Sequence, residues 1–147
     1  MAKERHKIVP ASYLVLIEDD KILMLRRFNT GYEDGNYSIV AGHVDEGETF
    51  IHCIIREAKE EAGIILKSED LKVCHVMHRN GGKGNERIDI FISAKDWSGE
   101  IEIKEKDKCD DLSWFSFDNI PENTIPCIKQ AINCIKNKIF YSEFGWD

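Results

Sequence analysis

Gly42 and four glutamates, Glu48, Glu57, Glu60 and Glu61, fall within GHVDEGETFIHCIIREAKEEAGI at spacings that suit a hard divalent cation. On a helix numbered from Thr49, advancing about 100° per residue, Ile51, Ile54, Ile55, Ala58 and Ala62 share one apolar face. Glu57, Glu60 and Glu61 then gather within about 100° of one another, on the face read as opposite. Held at i, i+3 and i+4, the three carboxylates repel and destabilise the helix unless a cation offsets them. Mg²⁺ suits such a place, because it binds through a few carboxylates and keeps waters and substrate phosphates as its remaining ligands.

An acidic helix face is ordinarily only a solvated surface, since Glu and Lys are strong helix formers. That reading would serve for EAKEE alone. Here Gly42, Glu48, Arg56 and a helix-ending Gly63 would all have to coincide by accident.

The elements that must hold this helix are legible around it. IVPASYLVLI (8–17) and ILMLRR (22–27) read as a hairpin about the polar turn at 18–21. FNTGYEDGNY (28–37) is a loop long enough to overhang a site, and SIVAG is a short strand ending at Gly42. LKVCHVMHR (71–79) and RIDIFISAKD (87–96) alternate as an antiparallel pair. IEIKEKDKCDD leads into the strand LSWFS, and a last helix spans about 124–138. Ile125, Ile128, Ile132 and Ile135 give that helix its packing face, in which Cys127 and Cys134 are packing residues. With no repeat or linker, the expectation is one domain over 1–147, a mixed sheet flanked by two helices.

The remaining composition narrows the function. Cys53, Cys74, Cys109, Cys127 and Cys134 form no CxxC pair and are odd in number, which argues for reduced thiols and against zinc. His75 and His78, three apart in a strand, face opposite sides and share no metal. A net charge of −7 with no basic stripe argues against nucleic-acid binding. No apolar run has membrane-span length, and MAKERHK lacks a signal-peptide core, so a cytoplasmic protein is expected.

Gly42, five residues, Glu48, seven residues, Arg56-Glu57-Ala58, one residue, Glu60-Glu61, one residue, Gly63-Ile64 resembles the Nudix hydrolase signature throughout. Ala58 is a small residue where the strict pattern has a bulky aliphatic one. LRRFNTGYEDGNYSIVAGHVDEGE is further similar to the MutT-like subgroup. The resemblance implies an α/β/α sandwich and a Mg²⁺-dependent hydrolase, Mn²⁺ being an alternative ion. Its substrate would be a nucleoside diphosphate linked to a group X, and its products nucleoside monophosphate plus P-X or pyrophosphate.

By the same resemblance Glu60, Glu61 and the Gly42 carbonyl are metal ligands, and Glu57 is a ligand or the general base. Glu48 and Arg56 orient the ligands. Glu105, in a loop similar to the subgroup's acidic loop but with Lys106 in place of proline, is an extra ligand or the base. Catalysis would then rest on Glu57, Glu60, Glu105 and Arg56. Arg27 would contact substrate phosphate, and Tyr32 and Phe28 would stack on a base or be ordinary core. The partner is a small nucleotide, the chain a monomer or homodimer. A catalytically idle nucleotide-sensing module is the alternative from another class; isopentenyl diphosphate isomerase relatives share the fold, but their further Cys and Glu motifs are not placed here.

Overall fold

The computed structural model describes residues 3–147, so the first two residues of MAKERHK lie outside the described residues. In chain order the elements are β1 (Val9–Val15), β2 (Ile17–Glu18), β3 (Lys21–Arg27), β4 (Tyr37–Ser38), β5 (Ala41–His43), α1 (Phe50–Ala62), β6 (Leu71–Asn80), β7 (Glu86–Ala94), β8 (Cys109–Ser116), α2 (Pro126–Lys136) and β9 (Tyr141–Phe144). A mixed sheet runs β5-β1-β7-β6-β9, with β1 parallel to β7 and β6 parallel to β9. A second sheet joins β2, β3 and β4 and pairs β8 with β3, all antiparallel.

Period-two alternation sorts the strands' side chains between two cores. Ala11, Tyr13 and Val15 of β1, with Ile22 and Met24 of β3, pack against Ile128, Ala131 and Ile132 of α2. Leu14, Leu16, Leu23 and Leu25 turn the other way, onto Ile54, Ala58 and Ala62 of α1. The helices therefore cover opposite faces, the expected α/β/α arrangement. Ile54 is fully buried. Truncating such a side chain to alanine costs about 2–5 kcal/mol, so this contact fixes how α1 lies on the sheet.

Four local expectations differ. The hairpin is made by β2 and β3, while β1 leaves for the other sheet, where β5 and β7 flank it. SIVAG is not one strand: β4 and β5 lie in different sheets, and buried Ile39 and Val40 carry the chain between them. The last helix is shorter than 124–138, and β9 follows it. Finally, the glutamates do not lie opposite the buried face of α1. Cys53 is as buried as Ile54, and on the helical wheel Glu57 and Glu61 project between these two, inward and along the sheet edge. Only Glu60 points out to water.

Candidate active site

Thr49 caps α1, its hydroxyl accepting from the His52 amide at 3.0 Å. Ser12 of β1 donates to the Phe50 carbonyl at 2.8 Å and ties the first turn to the sheet. At the other end Gly63 adopts φ 70°, and its amide returns to the last helical turn. The carbonyls of Glu61 and Ala62, left over by the helix, are taken by the amides of Lys104 and Glu102, each at 3.1 Å. Those two bonds seat the 101–104 segment on the helix end and bring Glu105 to the glutamates. Lys106, in the place of a proline, costs the loop nothing visible: the Glu105 carbonyl accepts from the amides of Lys108 and Cys109 at 2.9 and 3.1 Å.

Arg56 is the hub of the acidic cluster. Its Nε and Nη2 donate to the two oxygens of Glu48 at 2.7 and 2.8 Å, and its Nη1 donates to Glu57 at 2.6 Å and Glu60 at 3.3 Å. Such a two-pronged pair fixes both orientation and charge. The bond from Arg56 and, next, that from the Asp45 amide hold the Glu48 carboxyl down to about 2. The same Glu48 bond raises the guanidinium further above its ordinary value, so it stays charged.

The inward pair behaves oppositely. Burial pushes Glu57 up, against the pull of Arg56. Burial, then the charge of Glu57, pushes Glu61 well above the usual carboxylate range, opposed by a 3.0 Å bond from the Ala41 amide. Gly42 is needed for close approach: a Cβ there would overlap the carboxyl of Glu57.

Glu57, Glu60, Glu61, Glu105 and Arg27 line one cleft of about 450 Å³. Among the described residues no three His, Cys, Asp or Glu side chains converge on one point as a ready-made metal cage. Glu57 and Glu60 are instead closed on Arg56. The donor set nonetheless fits a hard dication: the desolvated carboxylates of Glu57 and Glu61 crowd one wall beside those of Glu60 and Glu105, and Arg56 divides its donors between Glu48 and this cluster.

Arg27 ends β3 at a bulge that separates it from Arg26. Arg26 pairs with Asp110 at 2.7 Å, whereas Arg27 bonds the Tyr32 carbonyl at 2.7 Å and Thr30 Oγ at 2.9 Å and faces the cleft. Of the two, only Arg27 lines the cleft. The 28–36 loop is tied by Asp34, which accepts from the Thr30 and Gly31 amides and the Thr30 hydroxyl. Tyr32 is half-exposed under the Arg27 guanidinium, 5.2 Å from its ring centre, and borders a second cavity. Phe28 is exposed and borders neither cavity. Neither aromatic belongs to the core.

Sequence reasoning missed that second cavity, of about 270 Å³, which His43, Arg79 and Arg87 help line, with Asp89 behind them. One signal was available. Asp89 sits between two isoleucines on the buried parity of RIDIF, where a charge needs a partner.

Residues 8–132 match the NUDIX domain family model, and the chain belongs to that family, with its MutT-like members. It is 25% identical to a MutT NUDIX hydrolase from Burkholderia pseudomallei, superposing with a TM-score of 0.78 over 86% of this chain and 97% of that one. A MutT protein from Methanosarcina mazei superposes at 0.76 with 15% identity, over 92% and 98%, a likeness of fold. Among curated relatives, the NAD-capped RNA hydrolases NudC of Pseudomonas aeruginosa and Shigella dysenteriae are 28% and 29% identical over 78% and 84% of this chain. The chain spans only 38% and 46% of those proteins' lengths. Among the described residues no helix is long and apolar enough to cross a membrane.

Proposed function

We propose that this chain is, over 1–147, a single-domain Mg²⁺-dependent pyrophosphohydrolase of nucleoside diphosphates linked to X. The observation that carries the reading is the pair of inward, desolvated carboxylates, Glu57 and Glu61, beside Gly42. A fold gains no stability from crowding two buried like charges, so their place is explained by what they bind.

In this reading Glu57, Glu60, Glu61 and the Gly42 carbonyl would hold Mg²⁺, or Mn²⁺ in its place. Bound there, the ion supplies charge neutralisation on the bridging phosphates and a more acidic water. Arg27, at the mouth of the same cleft, binds a phosphate oxygen and fixes the pyrophosphate in line. Arg56 would give up Glu57 and Glu60 as ligands and keep Glu48, which holds the guanidinium in position. As the water's oxygen bonds to phosphorus and the P–O bond to the leaving group breaks, the water's proton passes to a carboxylate oxygen of Glu105 or Glu57.

The closure of Glu57 and Glu60 on Arg56 favours the second reading, a nucleotide-sensing module without turnover. The test is a screen of nucleoside triphosphates, oxidised nucleotides, sugar nucleotides, NAD-type dinucleotides and dinucleoside polyphosphates with millimolar Mg²⁺, using Glu57→Gln as control. Hydrolysis that needs the ion and is lost in the control is the expected result. Saturable binding with no hydrolysis of any member would make the sensing module the correct reading.

A further inference from the structure

Although the chain carries a net charge of −7, its second cavity is cationic. Ala41 and Gly42 of β5 line it, while the Ala41 amide and the open face of Gly42 meet the glutamates. One strand thus divides an acidic cleft from a basic pocket, and Arg27 borders both.

Three guanidiniums, those of Arg27, Arg79 and Arg87, line the pocket against one carboxylate, Asp89, behind them. Arg79 takes Asp89 Oδ2 at 2.7 Å. Arg87 comes no nearer than 3.9 Å to Oδ1, and among the described residues neither that oxygen nor Arg87 Nε has a hydrogen-bond partner. The close contact of Arg87 is the ring Nε2 of His43, 2.6 Å from its Nη2. His43 brings no counter-charge, because an imidazole carries no negative charge to offer a guanidinium. Arg27 spends its donors on neutral oxygens of Thr30 and Tyr32. Tyr13 and Cys127, which also line the pocket, stay protonated, both pushed up by burial first.

A neutral base edge would satisfy donors here yet leave the charge unbalanced. A phosphate does both, and the planar guanidinium suits its geometry. We infer that this pocket receives a phosphate of the substrate other than those at the scissile bond, so that preferred nucleotides carry an additional phosphate, on the ribose or within X. The inference rests on the hydrolase reading only for the identity of the bound molecule as a nucleotide.

The test is calorimetric titration in Mg²⁺ with probe pairs that differ by one phosphate. Adenosine 5′-monophosphate against adenosine 2′,5′- and 3′,5′-bisphosphate examines a ribose-borne phosphate; ribose against ribose 5-phosphate examines one within X. In at least one pair the added phosphate should tighten binding roughly ten- to a hundred-fold, as charge-assisted hydrogen bonds do. The gain should vanish in Arg87→Met and shrink in the wild type as salt rises. No gain in any pair, a gain that persists in a folded Arg87→Met, or a gain indifferent to salt would overturn the inference. Hydrolysis without a phosphate gain overturns this inference alone; a gain without hydrolysis overturns the hydrolase reading alone.

Discussion

Replacing Glu61 by Gln should stabilise the metal-free protein while abolishing its turnover. Burying one ionised carboxylate costs several kcal/mol even after relaxation. The compensation at Glu61 is a single 3.0 Å bond from the Ala41 amide, worth about 1.5–3 kcal/mol to a charged acceptor, and Glu57 adds repulsion. Glutamine keeps the shape and the acceptor and removes the charge, which leaves a gain on the order of 1–3 kcal/mol. For a chain of this size each kcal/mol moves Tm by about 2–4 °C, so a rise of roughly 2–12 °C is expected. The pH dependence has a definite sign. The folded-state pKa of Glu61 lies above its ordinary value of 4.5, so between the two the folded form binds the extra proton. The contribution of Glu61 to wild-type stability therefore falls as pH rises from about 4.5 through its folded pKa. Scanning calorimetry in EDTA at neutral pH and near pH 4 should show the Glu61→Gln advantage at the first and its disappearance at the second. A variant that melts at or below the wild type at neutral pH in EDTA would refute the claim that function, and not folding, keeps this charge buried.

Four further outcomes are expected. Millimolar Mg²⁺ should raise the wild-type Tm by several degrees over EDTA and do so less in Glu61→Gln; identical midpoints in the wild type would count against metal binding. Glu105→Gln should lower kcat far more than it raises KM if Glu105 takes the proton. Asp110 and Asp111 are engaged with Arg26 and with Tyr37 and Ser113, so Asp→Asn changes there should leave the pH–rate profile of catalysis in place. Gly42→Ala should cost at least about two orders of magnitude in turnover, because the added methyl displaces the Glu57 carboxyl; steady-state kinetics near wild type would show that this close approach is dispensable.

The sequence made α1 legible because its cap, its glutamates and Gly63 are all local signals. It misdirected the face because Cys53, a small apolar residue, was left out of the apolar stripe, although it is fully buried. β9 was invisible for a different reason: YSEF has no strand pattern of its own and gains its conformation from parallel pairing with Val76 to Arg79. The basic pocket depends on strand register as well. Arg79 and Asp89 meet only because β6 and β7 pair Met77 with Asp89 and Arg79 with Arg87. Such pairings are set by tertiary packing that no short window contains.

The seating of Glu102 and Lys104 on the last carbonyls of α1 makes the helix end and the Glu105 loop a single cooperative unit. Fraying of that turn and withdrawal of the Glu105 carboxylate are one event. Amide exchange at Lys104 would therefore clock how often the cleft comes apart, and a ligand that closes the cleft should slow exchange there without touching the amide itself.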